Sequence, residues 1–308
     1  VSIGDSSDTA TIIDDDAVQM SVTAPAAGAE ASSFVFTVTL DTASDQTVTV
    51  DYTTTDGSAT SAGDYVAASG KLTFNPGVTS RMVLVATTGD TVNECDETFS
   101  LGLANPTGLS CASVSVGAGV GTATATINDD AVVQVSVAAP GAVAEDSSFV
   151  FTVSLDRASA QTVTVDYTTT DGTATSAGDY TPASGTLTFN PGVMLLTVPV
   201  SVTGDAVNEC DETFDLGLTN PAGLSCASVS IGTPSDTATI NDDDAVEVSV
   251  TAPGAGVEGS SFVFTVSLDK ASDQIVTVDY TTTDGTATSA GDYTATSGTL
   301  TFNPGVTS

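Results

Sequence analysis

The chain has 308 residues, and 39 acidic residues against 4 Lys plus Arg give it a formal net charge of −35 at pH 7. This balance argues against binding to nucleic acids or anionic membranes, which requires clustered Lys and Arg. The sequence contains no histidine, which excludes Ser-His-Asp and Cys-His catalysis and removes the commonest zinc ligand. Hydrophobic residues make up 40% of the chain, so we predict a folded acidic protein rather than a disordered one.

The first sign of organisation is internal repetition. The string DYTTTDG begins at Asp51, Asp166 and Asp279, which are 115 and then 113 residues apart, a spacing suited to a small domain. We predict that residues 1–16 are the C-terminal strand of a preceding module, that 17–130 and 131–244 are full modules, and that 245–308 are the N-terminal part of another. Because the last module is incomplete, we predict either that the sequence is a segment of a longer array or that another chain completes the module.

The apolar residues of the first full module alternate with polar ones, as in half-buried strands. In chain order, the predicted strands contain Val18, Met20 and Val22; Phe34, Phe36, Val38 and Leu40; Val48, Val50 and Tyr52; and Leu72 and Phe74; the last three are 81–87, 98–103 and 122–127. Turn sequences such as Asp56-Gly57 and Asn75-Pro76-Gly77 separate them.

About seven short strands in each module, without helical periodicity, predict an all-β fold of tandem immunoglobulin-like antiparallel β-sandwiches. Another Greek-key sandwich with a different strand order is the alternative. Because almost no linker separates Asp130 from the next predicted strand, neighbouring modules should be closely coupled.

Acidic residues recur at corresponding points of each module, where the loops of a sandwich can converge. In the first full module the set is Glu30, Asp56, Asp90, Glu94, Glu97, Asp129 and Asp130; in the second it is Glu145, Asp171, Asp205, Glu209, Glu212, Asp242, Asp243 and Asp244. Crowded carboxylates repel one another unless a cation is present, and Ca²⁺ accepts 6 to 8 oxygen ligands in flexible geometry. We therefore predict metal sites for Ca²⁺. The alternative is that these acids only solubilise loops and cap turns, as Asp56 before Gly57 could.

Several motifs together resemble the Calx-beta domain, a calcium-binding sandwich of sodium–calcium exchangers, an integrin subunit and tandem arrays in bacterial and other extracellular surface proteins. They are DYTTTDGTATSAGDYT, SGTLTFNPG, NECDETF and ATINDDD, in that order. The resemblance covers essentially the whole chain and implies the same calcium ligands, with a backbone carbonyl near Val92.

Some positions depart from the family's pattern. We interpret Asn128 as replacing the first of three terminal acids, and Gly89 as standing where a second Asp can occur. Cys95 and Cys210 occupy a position that is usually Gly or acidic. The third module retains only Glu258 and Asp284, so its site is incomplete within this sequence.

The four cysteines form two pairs with the same spacing, one in each full module. This spacing favours disulfides Cys95–Cys111 and Cys210–Cys226, formed in an oxidising compartment. Reduced core thiols and bridges between chains are the alternatives.

These observations favour an extracellular or cell-surface structural or adhesive protein, a rod or fibre of tandem modules stiffened by Ca²⁺. The expected partners are neighbouring modules or subunits, with surface glycans or O-linked sugars as further contacts, and neither nucleic acid nor membrane insertion. A calcium-sensing regulatory module is the alternative. We expect no enzymatic activity, because the acids lie at module ends without an aromatic cleft.

Overall fold

A computed structural model describes residues 1, 4, 7–12, 17–108, 113–223, 226 and 228–308. The regular elements of this described part are all β-strands. It contains no helix that is long and apolar enough to span a membrane. No strand occurs among residues 1, 4 and 7–12, and the rest of the predicted 1–16 strand lies outside the described residues.

The strands repeat with the modules of the sequence. The first repeat contains β1 (Ala17–Thr23), β2 (Gly28–Ala29), β3 (Ser33–Leu40), β4 (Val48–Asp56), β5 (Ser69–Phe74), β6 (Ser80–Ala86), β7 (Glu97–Gly108), β8 (Ser113–Val116) and β9 (Thr122–Asn128). The second contains β10 (Val133–Ala138), β11 (Val143–Ala144), β12 (Ser148–Leu155), β13 (Val163–Asp171), β14 (Ser184–Phe189), β15 (Leu195–Ser201), β16 (Glu212–Gly223), β17 (Val229–Ile231) and β18 (Ser235–Asn241). The third contains β19 (Val248–Thr251), β20 (Thr265–Leu268), β21 (Val276–Thr281) and β22 (Ser297–Phe302).

Each of the first two repeats forms two sheets, with strand orders β6-β3-β1-β8 and β2-β9-β7-β4-β5 in the first repeat. The second repeat has the same orders in its own strands, β15-β12-β10-β17 and β11-β18-β16-β13-β14. The all-β sandwich prediction is therefore confirmed. The sequence did not indicate β2 and β8, which pair in parallel with β9 and β1. Both additional strands are short, and a strand of two to four residues carries little periodic signal.

The core of each full repeat consists of the inward-facing residues of both sheets. Phe34, Phe36 and Phe99 are almost fully buried in the first repeat, and Tyr65 stacks on Phe99 with ring centroids 4.4 Å apart. In the second repeat Tyr180 stacks on Phe214 in the same way, at 4.3 Å. The alternation of apolar and polar residues that predicts these strands therefore reflects burial of one face of each strand.

The third repeat shows what the missing partner strands contribute to burial. Its Phe262 and Phe264 are 51% and 54% exposed, whereas the corresponding Phe149 and Phe151 of the second repeat are fully buried. In the described residues, the third repeat has only a two-stranded part of each sheet, β19 with β20 and β21 with β22, instead of four and five strands. Similar sequence thus gives equal burial only where the partner strands of both sheets are present.

The chain divides into two compact units. Unit 1 comprises residues 1–132 together with Ser159–Gln161 and the segment that includes Cys226, and unit 2 comprises the remainder of the chain. Each unit therefore contains one boundary between successive repeats: the boundary after Asp130 lies in unit 1, and the boundary after Asp244 lies in unit 2.

Candidate metal centres

The first carboxylate cluster is formed by Asp64, Glu94 and Glu97, whose oxygen atoms lie within 4.8 Å of one another. Glu97 is the first residue of β7 and pairs with Ile127 of β9, which fixes its position at the end of this central strand. Asp64 is held by the turn before it, because the backbone N–H and hydroxyl of Thr60 donate to Asp64 Oδ2 at 2.6 and 3.1 Å. All three residues are partly buried.

The second repeat builds the same cluster from Asp179, Glu209 and Glu212. Glu212 opens β16 and pairs with Ile240 of β18, and Thr175 donates to Asp179 Oδ2 at 2.6 and 3.1 Å. The geometry therefore follows from the repeated sequence rather than from one irregular loop.

The glutamates of these clusters are held in an unfavourable environment for a charge. Partial burial, followed by the charges of Asp64 and Glu94, raises the pKa of Glu97 to about 7. Burial, followed by the charge of Asp179, raises the pKa of Glu212 to about 7. Burial and neighbouring carboxylates also raise the pKa values of Glu94 and Glu209. A bound cation would relieve this repulsion.

Asp64 and Asp179 are not among the predicted ligands, and Asp56 and Asp171 are not brought into either cluster. Asp56 Oδ1 accepts hydrogen bonds from Tyr65 Oη at 2.5 Å and from Ser61 N at 3.0 Å. The Tyr65 hydroxyl lowers the pKa of Asp56 in this turn. Asp171 is bonded in the same way by Tyr180 and Ser176. The GDY string, in which the acid directly precedes the buried tyrosine, was the available sequence signal for Asp64.

A further carboxylate cluster occurs at the end of the second repeat, where oxygen atoms of Glu145, Asp205 and Asp244 also lie within 4.8 Å of one another. The backbone N–H of Asp205 donates to Glu145 Oε2 at 3.3 Å. Asp244 Oδ1 accepts from Lys270 Nζ at 2.6 Å, while Asp244 Oδ2 is buried and has no hydrogen-bond partner. Such an oxygen is available to a cation.

The first repeat has the first two members of this set but not the third. Asp90 N donates to Glu30 Oε2 at 3.2 Å. The strand pairings align Ile127 with Ile240 and thus Asn128 with Asn241, so Ala131 is the counterpart of Asp244. The interpretation of Asn128 as a replaced acid was therefore wrong, because the missing carboxylate is three residues further along the chain.

The remaining predicted acids lie near Glu30 and Glu145. The charges of Asp90, Asp129 and Asp130 contribute to the raised pKa of Glu30, after burial as the main cause. Asp205, Asp242 and Asp243 do the same for Glu145. Convergence of these residues at one end of each repeat thus agrees with the structure, whereas metal ligation by each of them, and by a carbonyl near Val92, stays a prediction.

Gly89 has a steric reason for its place in this loop. A Cβ added at Gly89 would lie 2.9 Å from the Cβ of Ala31, which itself adopts a positive φ of 50°. An aspartate at this position would therefore displace the segment that carries Glu30.

The loop that carries Glu94 also contacts the next repeat. Asn93 is fully buried; its Nδ2 donates to Asp129 Oδ2 at 2.9 Å and to the carbonyl of Ala131. Ser159 Oγ donates to Asn93 Oδ1 at 3.2 Å, and Ala160 N donates to the Asn93 carbonyl at 2.9 Å. The loop that carries Glu94 of the carboxylate cluster and a repeat boundary are therefore parts of one hydrogen-bonded network.

The disulfide differs from the predicted pairing. Cys95 is bonded to Cys226, with Cα atoms 5.2 Å apart, and Cys210 is exposed and without a disulfide partner among the described residues. The pairs Cys95–Cys111 and Cys210–Cys226 were therefore wrong as pairings, and Cys111 itself lies outside the described residues. Equal spacing along the chain could not indicate that the neighbour in space belongs to another repeat.

Comparison with known families decides the classification. The Calx-beta domain model matches residues 14–131, 129–245 and 241–308. The chain belongs to the Calx-beta family. Calx-beta domains bind calcium, so Ca²⁺, the cofactor predicted from the sequence, is confirmed for the family, and the oxygen-only clusters of this chain fit that cation.

Individual relatives agree with this Calx-beta assignment. The sodium/calcium exchanger 1 of Canis lupus familiaris is 33% identical over 191 residues, covering 57% of this chain and 20% of the exchanger. The adhesion G-protein coupled receptor V1 of Danio rerio is 30% identical over 184 residues, covering 55% of this chain and 3% of the receptor. The matched region therefore spans about a fifth or less of these relatives.

One solved structure is similar over a larger share of the chain. The crystal structure of calcium binding domain CBD12 of CALX1.1 is 20% identical, with a TM-score of 0.35, and the match covers 73% of this chain and 99% of that one.

Proposed function

We propose that this chain is part of an extracellular structural array in which Ca²⁺ binds at the end of each full Calx-beta repeat and stiffens the junction with the next. The observation that carries this proposal is the position of Asn93. It directly precedes the cluster residue Glu94 and makes the hydrogen bonds that reach Ser159 of the following repeat. Order in the ligand loop is therefore transmitted to the junction.

The charge of the loop supports the same role. Without a cation, partial burial and then repulsion by neighbouring carboxylates raise the pKa values of Glu94 and Glu97. This repulsion opposes the loop conformation that Asn93 requires. Ca²⁺ would replace repulsion by attraction, because several carboxylate oxygens can coordinate the ion at about 2.3 to 2.6 Å.

The second repeat offers the same arrangement. Asn208 Nδ2 donates to Asp242 Oδ2 at 2.9 Å, and Ser272 Oγ donates to Asn208 Oδ1 at 2.9 Å. Glu209 and Glu212 follow Asn208 as Glu94 and Glu97 follow Asn93. A cation that orders each ligand loop would thus act at successive junctions, which is the requirement for a stiffened rod.

The proposal includes a non-catalytic role at the cell surface, with neighbouring modules as the main partners and surface glycans as further contacts. The Cys95–Cys226 disulfide supports an oxidising location, since such bonds are rare in the cytosol. Labelling of intact cells with a membrane-impermeant amine reagent should modify the native protein; complete protection would contradict the location.

The direct experiment measures thermal unfolding and limited proteolysis in millimolar Ca²⁺ and in excess chelator. A ligand that binds only the native state stabilises it by about 2.7 kcal/mol at a hundredfold excess over Kd. We expect a higher melting temperature and slower cleavage of residues 87–96 in Ca²⁺. Equal cleavage in both conditions would contradict stiffening.

Matched variants localise the effect. The double variant Asp64→Asn with Asp179→Asn should lose most of the calcium-induced stabilisation, because each change removes a carboxylate from a cluster. The control, Asp56→Asn with Asp171→Asn, alters turn acids outside the clusters and should keep the calcium response. A response lost equally in both pairs would contradict the assignment of Asp64 and Asp179.

A calcium-sensing module is the second candidate, and the similarity to sodium/calcium exchanger 1 favours it. A sensor needs two conformations with different calcium affinity. Small-angle X-ray scattering separates the candidates. A calcium-dependent switch between two distinct maximum dimensions would support the sensor, whereas one dimension with a narrower distribution in Ca²⁺ would support the stiffened rod.

A further inference from the structure

The cysteines occupy two kinds of position in each full repeat. Cys95 and Cys210 lie in the motif NECDETF, and Cys111 and Cys226 lie in the motif GLSCAS. The bond between Cys95 and Cys226 therefore joins the NECDETF cysteine of one repeat to the GLSCAS cysteine of the next, across 131 residues of sequence. This pairing is a property of a junction rather than of a module.

Hydrogen bonds close to the disulfide connect the same two repeats. Asn93 is two residues before Cys95, and its bonds to Ser159 and Ala160 attach the second repeat to this loop. Ser159 is only 2% exposed, and it forms a parallel β-bridge with Asn93. The disulfide and this bridge are two independent attachments between the same loop and the following repeat.

The next junction repeats the bridge without the disulfide. Asn208 N donates to the carbonyl of Ala271 at 3.0 Å, Asp273 N donates to the carbonyl of Asn208 at 3.0 Å, and Asn208 forms a parallel bridge with Ser272. Cys210 follows Asn208 by two residues, as Cys95 follows Asn93, and it is exposed.

We propose that the cysteines of this array form disulfides between successive repeats, and that Cys210 is the attachment point for the cysteine of a GLSCAS segment at the second junction. Each bond forms when two thiols give up two protons and two electrons. The acceptor is a small-molecule disulfide of the glutathione class, which is reduced to two thiols. This proposal is independent of calcium binding, because it rests on the disulfide and the repeated bridge.

Peptide mapping under non-reducing conditions tests the pairing on the monomeric protein. After alkylation and proteolysis, we expect a cross-linked peptide pair containing Cys95 and Cys226, with alkyl groups on Cys111 and Cys210. Linked pairs Cys95–Cys111 and Cys210–Cys226, without alkylation, would overturn the proposal and restore pairing within the repeats.

Two variants keep this result interpretable. Cys226→Ser should expose Cys95 to alkylation, giving three modified cysteines, whereas Cys111→Ser should leave the Cys95–Cys226 bond intact and only Cys210 modified. Pairing within repeats predicts the opposite for Cys111→Ser, because Cys95 would lose its partner. Alkylation of Cys95 in that variant would therefore overturn the proposal without any assumption about stability.

A peptide tests Cys210 as an attachment point. Residues 212–231 contain β16, Cys226 and β17, and β16 pairs with β13, the counterpart of β21. Within the described residues β21 pairs only with β22, so its other edge is open to such a strand. With the peptide cysteine activated as a glutathione mixed disulfide, we expect attachment to Cys210 at least about tenfold faster than for a scrambled peptide. Equal rates would overturn this assignment.

Discussion

The two repeat junctions start from similar sequence and are held by different bonds. After the first repeat, Ala131 follows the two acids and the disulfide Cys95–Cys226 is present. After the second, Asp244 stands in the place of Ala131 and pairs with Lys270, which is contributed by the third repeat. Both junctions share an asparagine bridge, the parallel β-bridge of Asn93 with Ser159 and of Asn208 with Ser272. A repeated scaffold thus keeps its geometry while the charge at its ends varies.

The largest expected effect concerns the number of calcium ions in each repeat. Asp244→Ala should remove the cluster of Glu145, Asp205 and Asp244 and lower the calcium stoichiometry by one. At a hundredfold excess of Ca²⁺ over Kd, the lost stabilisation is about 2.7 kcal/mol. Isothermal titration calorimetry gives the stoichiometry, and calorimetric melting gives the loss.

The reverse change, Ala131→Asp, should add a third carboxylate beside Glu30 and Asp90 and raise the stoichiometry by one. An unchanged stoichiometry in both variants would show that the difference between the junctions has no consequence for metal binding.

Removal of the asparagine bridge should have the next largest effect. Asn93→Ala removes the side-chain amide that binds Asp129, the Ala131 carbonyl and Ser159 in a buried site, at a cost of about 1 to 3 kcal/mol. Asn208→Ala should cost less, because Asn208 is only half-buried. Urea unfolding of both variants measures the difference. A greater loss at Asn208 would contradict the ranking from burial.

The pH dependence in calcium-free buffer is expected to be smaller. Because the folded-state pKa values of Glu97 and Glu212 are raised to about 7, the folded protein binds more protons than the unfolded one between about pH 4.5 and 7. Their contribution to stability is therefore full at low pH and is lost as the pH rises through 7, on the order of 1 kcal/mol per glutamate after solvent screening.

Melting temperatures from pH 5 to 8 measure this effect. The double variant Glu97→Gln with Glu212→Gln should flatten the profile, because glutamine does not titrate. If the wild-type melting temperature rises from pH 5 to 8 and the double variant removes that rise, the predicted direction of the pH effect is contradicted.

The smallest effect concerns the ion pair at the second junction. Lys270→Gln should lower the free energy of unfolding only slightly without Ca²⁺, since the pair is only partly buried. It should also tighten calcium binding, because Lys270 no longer occupies Asp244 Oδ1. Arg157→Gln, at the corresponding position of the second repeat, is the control and should change neither quantity, because its pair with Asp156 is exposed. Weaker calcium binding in Lys270→Gln would contradict the prediction that Lys270 competes with Ca²⁺ for Asp244.

Sequence alone determined the repeat, the strand class and the acidic character of the module ends. The alternation at Phe34, Phe36 and Val38 fixed one buried face, because successive side chains of a strand point to opposite sides. The recurrence of Glu94 and Glu97 at the same point of each full repeat likewise indicates a carboxylate cluster. These features depend on local periodicity, which the sequence contains directly.

Only the tertiary structure decided which of several similar residues are neighbours. Asp56 and Asp64 both lie in the same short segment, but a hydrogen bond from Tyr65 retains Asp56 in the turn while Asp64 joins Glu94 and Glu97. Cys95 lies sixteen residues from Cys111 in sequence and is bonded to Cys226 of another repeat. Contacts between loops and repeats depend on how the sheets pack. Residues throughout the core determine that packing, so the sequence around any one residue does not specify its contacts.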